Sequence, residues 1–381
     1  MLTEQTTETL IKLGHSRRDF FKIATLLSAG AATYSFYNEA AMAQASALGK
    51  RLGPGAVKIN ANENPMGITP AALEAYIAVA RDGGRYNYEE ASDLVRVFAA
   101  QEGVDERGIL VYPGSSLALH QSVIAYTSPT RGLVTADPGY ESAAGAARWI
   151  GAPVTRVPLA KDGRQDVEAM VKAATGAGAI YLCNPNNPTG TVVSETDVKY
   201  VIENCPKDVT VILDEAYIHF TDEPRGTAYV REGRNVVVLR TFSKIYGMAG
   251  LRAGFAIGSP DKVAALRGMQ AGAMPAPAMA AARTMLEDPT LVPKRKALYD
   301  ERRSDLQAFF TKNGYTFALN QSNKLMVDTR RPVQEVIARL AERDVYIGRP
   351  WNSWPTHARI SIGTPEEMET FKKVFLEVMA T

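Results

Sequence analysis

Five times along this chain a short apolar run stops abruptly at turn formers and polar side chains. The runs cover 109–112, 133–136, 179–183, 209–213 and 236–239, and a sixth follows at 253–257. They are apolar nearly throughout instead of alternating with polar residues, as strands covered on both faces are. Longer helix-period stretches separate them, so the chain is expected to build a largely parallel α/β sheet. After Tyr112 comes Pro113-Gly114-Ser115-Ser116, opening a helix expected to run through Tyr126. After Ala136 comes Asp137-Pro138-Gly139-Tyr140, and after Cys183 comes Asn184-Pro185-Asn186-Asn187-Pro188-Thr189-Gly190. After Leu213 comes Asp214-Glu215-Ala216-Tyr217, and after Leu239 comes Arg240-Thr241-Phe242-Ser243-Lys244. Open α/β sheets bind ligands beyond the carboxyl ends of their strands. One such ending is an ordinary loop; five are expected to wall a single pocket.

Pyridoxal 5′-phosphate (PLP) asks four things of a pocket. It needs a lysine for its aldehyde, a carboxylate at its pyridine nitrogen, donors for its phenolate oxygen and an anion site for its phosphate. Each has a candidate at a strand end. Lys244 is the lysine, expected to hold the cofactor as an imine. Asp214 directly follows a strongly apolar strand, where a carboxylate without a partner is costly. Against a protonated pyridine nitrogen it forms a charge-assisted pair that keeps the ring an electron sink. Tyr217, three residues on, and Asn187, in a Pro/Gly-rich turn, can both donate to the phenolate oxygen. Gly114, Ser115 and Ser116 present backbone N–H groups at a helix start, a natural phosphate cradle. Ser243 adds a hydroxyl beside Lys244, Arg252 can grip the phosphate with two donors, and Tyr140 offers a flat ring to stack on the pyridine. Singly, each has an ordinary reading as a cap, turn or core residue. Their joint placement carries the argument.

The rest of the composition narrows the alternatives. A net charge of +2 over 381 residues gives no electrostatic reason to expect nucleic acid as a partner. Two cysteines, Cys183 and Cys205, are too few for a disulfide framework and lack metal-ligand spacing, and the four histidines form no close cluster. A metal enzyme is therefore not expected. The N-terminus reads Ser16-Arg17-Arg18-Asp19-Phe20-Phe21-Lys22, then a weakly apolar stretch and the small-residue exit Ala41-Met42-Ala43-Gln44-Ala45. Charged head, apolar middle and small exit make residues 1–45 an export signal, left out of fold reasoning. Its arginine pair resembles the twin-arginine type, so the export machinery is an expected partner and the expected location is periplasmic or otherwise exported, with a cytoplasmic location as the alternative. No other stretch approaches the roughly 18 to 20 consecutive apolar residues of a membrane span, so stable membrane insertion of the mature chain is not expected.

These stretches together resemble fold-type I PLP enzymes, the class I/II aminotransferases, and within them the histidinol-phosphate aminotransferase group. The matching segments also include Asn60 to Gly67, Arg85-Tyr86, Gly250-Leu251-Arg252-Ala253-Gly254 and Arg359-Ile360-Ser361-Ile362-Gly363-Thr364. Asn187 and Asp214 are 27 positions apart, Asp214 and Lys244 30, and Lys244 and Arg252 eight. The resemblance covers nearly everything after about residue 56. It implies a large, mostly parallel seven-stranded-type sheet domain with a smaller α/β C-terminal lobe. It implies that Lys244 is both the imine lysine and the proton shuttle, with Asp214 and Tyr217 beside it in the catalytic set. It adds Thr241 to the cofactor contacts, and Tyr86 as a reach to the cofactor phosphate of the neighbouring subunit in a homodimer. It places Arg359 on the substrate's anionic group, with Asn62 near the substrate. Arg349 is a candidate contact for the substrate's far end, with a surface or loop-stabilising role equally open.

Two departures stand out. The usual Arg-Tyr-Pro is Arg85-Tyr86-Asn87 here, and the segment Arg349-Pro350-Trp351-Asn352-Ser353-Trp354-Pro355 is unusually aromatic. Its tryptophans could line a pocket for a flat substrate or anchor the loop, and anchoring is favoured. The expected division is 1–45 signal, 46–78 N-terminal arm and part of the small domain, 79–275 large PLP-binding domain and 276–381 small C-terminal domain. The Ala/Pro/Gly-rich stretch 272–282 reads as the junction, continued through Arg303 by a solvated connecting helix. The expected activity is transfer of an amino group between an amino acid, or a histidinol-phosphate-like amine, and a 2-oxo acid through a Lys244 imine. Another PLP reaction on an amino acid (decarboxylation, elimination, racemisation or oxidation) stays open, because fold cannot choose among them. So, more remotely, does a ligand-binding protein without turnover.

Overall fold

The structure is a computed structural model that describes residues 52–269 and 274–380. The expected export signal lies outside the described residues, as does the start of the expected junction. The first half runs β1 (Val57–Ile59), α1 (Pro70–Ala80), α2 (Glu89–Glu102), β2 (Ile109–Tyr112), α3 (Ser115–Tyr126), β3 (Leu133–Asp137), α4 (Ser142–Trp149), β4 (Val154–Pro158), α5 (Val167–Ala173), β5 (Ala179–Cys183) and α6 (Glu195–Asn204). Then come β6 (Thr210–Asp214), α7 (Thr227–Arg231), β7 (Val236–Thr241), β8 (Gly254–Ile257), α8 (Pro260–Arg267), α9 (Ala276–Glu287) and α10 (Leu291–Lys312). The chain closes with β9 (Lys324–Asp328), α11 (Val333–Ala341), β10 (Val345–Ile347), β11 (His357–Ser361) and α12 (Pro365–Ala380).

Seven strands form one sheet in the order β2-β8-β7-β6-β5-β3-β4. Alternate residues of its central strands face opposite ways. Ile180, Leu182, Val211, Leu213, Val236 and Val238 join one apolar cluster with Leu94 and Phe98 of α2 and Val198 and Val201 of α6. Tyr181, Cys183, Ile212, Val237 and Leu239 join another with Leu119 and Val123 of α3 and Val263 and Leu266 of α8. Both faces are thus covered, which is why these strands read as unbroken apolar runs.

The sheet is parallel except at β8, which runs antiparallel to both β2 and β7. Two reversals return β2 to the direction of β7. The carboxyl ends of β2, β3, β5, β6 and β7 therefore lie along one edge of the sheet. β4 was not among the expected strands. It is an edge strand in which Thr155 and Arg156 are exposed and only Val157 is buried, so its sequence lacks the two-sided apolar signature of the others.

A second group of strands comes from the two ends of the described chain. β1 pairs in parallel with β10, and β9 pairs antiparallel with β11. Behind them α10 and α12 pack through Phe310, Phe371 and Phe375, all fully buried, with the Phe310 and Phe375 ring centroids 5.4 Å apart edge to face. The Ala/Pro-rich stretch is an ordered, buried helix from Ala276 on, with Ala278, Met279, Ala280, Ala281 and Ala282 all buried. Small side chains let it approach its neighbours closely. α10 is likewise less solvated than expected. Its Arg295 is buried and donates to the carbonyls of Ile245 at 2.8 Å and Gly67 at 2.6 Å.

Candidate active site

A cavity of about 560 Å³ opens where the five strand ends meet, and its walls include Ser115, Ser116, Tyr140, Asn187, Asp214, Tyr217, Thr241, Ser243, Lys244 and Arg252. The one edge shared by their strands is what brings these loops together.

The loop after β2 supplies an anion site. Gly114 has φ +83° and ψ 168° and starts α3, a conformation open essentially to glycine alone. A Cβ there would sit 2.1 Å from Arg252 Nη2, so the bare backbone is what lets the guanidinium reach over the helix start. Gly254, the first residue of β8, plays the matching part from below: its Cβ would meet Gly114 C and Ser115 N at 2.9 Å. Arg252 donates to Ser243 Oγ at 3.2 Å and to the Ala249 carbonyl at 2.8 Å. Thr241 Oγ1 lies 2.9 Å from Ser243 Oγ and accepts from the Ser243 N–H at 3.1 Å. N–H groups at a helix start, two hydroxyl-bearing residues and an arginine converge, as a phosphate requires.

Deeper in, Asp214 ends β6 and is 3% exposed. Its Oδ2 accepts from the Tyr181 hydroxyl at 2.8 Å and its Oδ1 from the Ala216 N–H at 3.1 Å. Burial pushes its carboxyl up to about 6, while the Tyr181 and Ala216 donors and the Lys244 charge pull the other way. Such a carboxylate is stabilised by a cation placed against it. Lys244 is buried, and its Nζ donates to the carbonyls of Asn62 at 3.1 Å and Ala61 at 3.4 Å.

Asn62 joins several parts of the site. It adopts φ +52°, a left-handed conformation that asparagine tolerates better than most residues. Its Nδ2 donates to the Tyr217 hydroxyl at 3.1 Å, its Oδ1 accepts from Ser361 Oγ at 2.9 Å, and its N–H donates back to that hydroxyl at 2.9 Å. Expected near the substrate, Asn62 turns its side chain toward Tyr217 and Ser361.

Arg359 is 1% exposed on β11. It donates from Nη1 to Asn187 Oδ1 at 3.0 Å and from Nη2 to the Asn60 carbonyl. Because Asn187 Oδ1 accepts from Arg359, the arginine orients the donor end of that amide. Trp351 anchors its loop: it is buried, its Nε1 donates to the Gly139 carbonyl at 3.1 Å, and its ring carries the guanidiniums of Arg349 at 4.1 Å and Arg359 at 5.2 Å. Arg349 also pairs with Glu141. Tyr86 lies away from the cavity within one chain, 76% exposed and stacked on Tyr88 with ring centroids 5.6 Å apart.

Several residues of the site were not singled out in the sequence. Tyr181 sits inside an apolar run, and only the β5–β6 register, with Cys183 opposite Asp214, brings it near the carboxylate. His120 lines the cavity one helical turn after Ser116, with Nε2 2.6 Å from Ser142 Oγ, and burial holds its ring down to about 4. The four-residue spacing from Ser116 was a readable signal. Lys324, at the start of a strand, carried none, since a lysine there reads as solvent-exposed.

The donor set fits PLP. A lysine, a buried carboxylate, a phenol, an amide and a phosphate cradle stand around one cavity of suitable size. Comparison with known proteins agrees. Residues 55–375 match the family described as aminotransferase class I and II. The histidinol-phosphate aminotransferase of Symbiobacterium thermophilum is 35% identical over 320 residues, 83% of this chain and 88% of that protein. The aromatic amino acid aminotransferase of Thermobifida fusca is 32% identical over 332 residues, 85% of this chain and 91% of its own. Among solved structures, the histidinol-phosphate aminotransferase of Sinorhizobium meliloti in complex with pyridoxal-5′-phosphate superposes with a TM-score of 0.82 at 25% identity, covering 89% of this chain and 93% of that one. With this fold, this donor set and these relatives, the chain belongs to the class I and II aminotransferases and is a PLP-dependent transaminase.

Proposed function

We propose that the physiological donor is a free amino acid whose α-carboxylate is held by Arg359, and that the reaction takes place outside the cytosol. When bound, PLP supplies an aldehyde that takes up the amino group and a protonated ring that withdraws electrons from the substrate's α-carbon. Asp214 keeps the ring nitrogen protonated by pairing with it. Tyr217 and Asn187 donate to the phenolate oxygen. The N–H groups of Ser115 and Ser116, with Ser243 and Arg252, hold the phosphate. Lys244 would hold the cofactor, and its amine, beside the Asn62 carbonyl, would move the proton at the substrate's α-carbon. The active unit is a homodimer, with Tyr86 of one subunit reaching the phosphate site of the other. Exposed Tyr86, Tyr88, Leu73 and Ile77 support that reading.

The observation that carries the choice of substrate is the state of Arg349. Histidinol-phosphate aminotransferases, named among the relatives, act on a phosphate ester without a carboxylate. A second arginine near Arg359 would suit a phosphate, but Arg349 already pairs with Glu141 and stacks on Trp351. A carboxylate beside the far end of the substrate opposes a dianion. The aromatic amino acid aminotransferase relative supports a carboxylate-bearing donor at similar sequence distance. The N-terminal export signal supports a substrate found outside the cytosol, where phosphorylated intermediates are not retained. A screen of donors tests this. Free amino acids should exceed histidinol phosphate in kcat/KM, and Arg359→Ala should lower that value by about 10- to 100-fold, the worth of charge-assisted bonds of about 1.5–3 kcal/mol. A wide advantage for histidinol phosphate would overturn the proposal.

A further inference from the structure

The transamination chemistry has no assigned use for Lys324, although this lysine packs directly against Tyr217 of the cavity wall. It opens β9 and is fully buried. In the β9–β11 ladder it lies opposite Ser361, with Met326 opposite Arg359, so alternation puts Lys324, Ser361 and Arg359 on one face of the ladder. Its Nζ is 3.1 Å from the centroid of the Tyr217 ring and 3.3 Å from Ser322 Oγ. A buried ammonium is costly without compensation, and the electron-rich face of a phenol supplies some. The same phenol is held at its other end, where Asn62 Nδ2 donates to its hydroxyl oxygen.

We propose that Lys324 is a positioning residue for the transamination: it holds Tyr217 by the face of its ring and, by drawing electron density from the phenol, makes the Tyr217 hydroxyl a stronger donor to the cofactor's phenolate oxygen. This rests on the reading of Tyr217 as a donor to that oxygen. The other ionisable groups around this corner are Lys244, whose Nζ is 5.5 Å from the same ring centroid, Asp214 from β6, Cys183 from β5 and Glu63 after β1. Arg359 stands on the same ladder face. Lys324 is the cation nearest the ring among the contacts seen, and it acts on a group beside the catalytic amine.

The readout is the absorbance of the holoenzyme followed against pH, which reports the proton held at the Lys244–cofactor bond. A donor to the phenolate oxygen, or a cation behind that donor, favours loss of this proton. Removing either should therefore raise the midpoint. Lys324→Met should raise it by about one pH unit, and Lys324→Arg, which keeps the charge, should stay close to native. Tyr217→Phe should raise it too, and adding Lys324→Met to Tyr217→Phe should then change little. If the apolar substitution does not fold, Lys324→Gln serves the same comparison. An unchanged midpoint in a folded, cofactor-bearing Lys324→Met or Lys324→Gln protein, with Tyr217→Phe shifted, overturns the role of Lys324 alone. Equal shifts with and without the Tyr217 hydroxyl also overturn it, because the charge would then act directly. No shift in Tyr217→Phe overturns the donor reading of Tyr217 and this proposal with it.

Discussion

Asp214 shows how one buried carboxylate trades stability for function. Burial raises its carboxyl from 3.8 to about 6, so the folded protein binds a proton there that the unfolded chain has released. Without cofactor, stability should fall as pH rises from about 4 to about 6 and stay reduced above that. Asp214→Asn removes the buried charge. At about pH 8 the cofactor-free variant should be more stable than native by up to about 2–3 kcal/mol, and the gain should vanish below about pH 4. Urea unfolding across that range checks it, and a pH-independent difference would reject the account. His120, held down to about 4 by burial, contributes with the opposite slope, but it is common to both proteins and cancels in the comparison. The loss in activity is the other half of the trade. With the ring nitrogen's partner gone, the α-proton step should slow by about 10²–10⁴-fold.

A strand end and the helix that follows it form the working unit of the phosphate site. β2, Gly114 and α3 place the N–H groups, β8 supports them through Gly254, and Arg252 closes over the top. Gly114→Ala tests the unit. Its φ costs a side chain about 1–3 kcal/mol, and the added Cβ would collide with the tip of Arg252. That tip is flexible, so the fold should survive while the guanidinium is displaced from the phosphate. The expected result is a protein that unfolds cooperatively with modest loss of stability but binds PLP at least about tenfold more weakly. Native affinity measured by equilibrium titration would show that Arg252 does not grip the phosphate. Elements far from the sheet edge also matter, since Arg295 of α10 holds the Ile245 carbonyl, one residue after Lys244.

Over the full chain, two sets of strands meet at the cavity. The loops of the seven-stranded sheet contribute Lys244, Asp214 and the Gly114–Ser116 turn, while the two ends of the described chain set Asn62 and Lys324 against Tyr217, Arg359 against Asn187, and Ser361 against Asn62. Ahead of both in the sequence lies the arginine pair of the proposed export signal, Arg17-Arg18. If it directs the chain through the twin-arginine route, changing Arg17 and Arg18 together to Lys should keep the protein in the cytoplasm of its host. Fractionation checks this, and equal amounts of trimmed protein beyond the membrane for both forms would reject that route.

The large sheet and most of the cavity wall were legible along the chain because their signals are local. An apolar run covered on both faces announces a strand, and the polar residues that end it are its immediate neighbours in sequence. Asp214, Asn187, Lys244 and the Gly114–Ser116 turn could all be read in this way. The edge strand β4 could not, since one exposed side removes the apolar signature. Pairings across long stretches of chain were beyond reach for a different reason. Asn62 meets Ser361 across 299 positions and Arg359 meets Asn187 across 172, and nothing in the neighbourhood of either residue encodes its partner. Lys324 is the extreme case, because a lysine beginning a strand belongs in water until the fold sets a tyrosine ring against its ammonium.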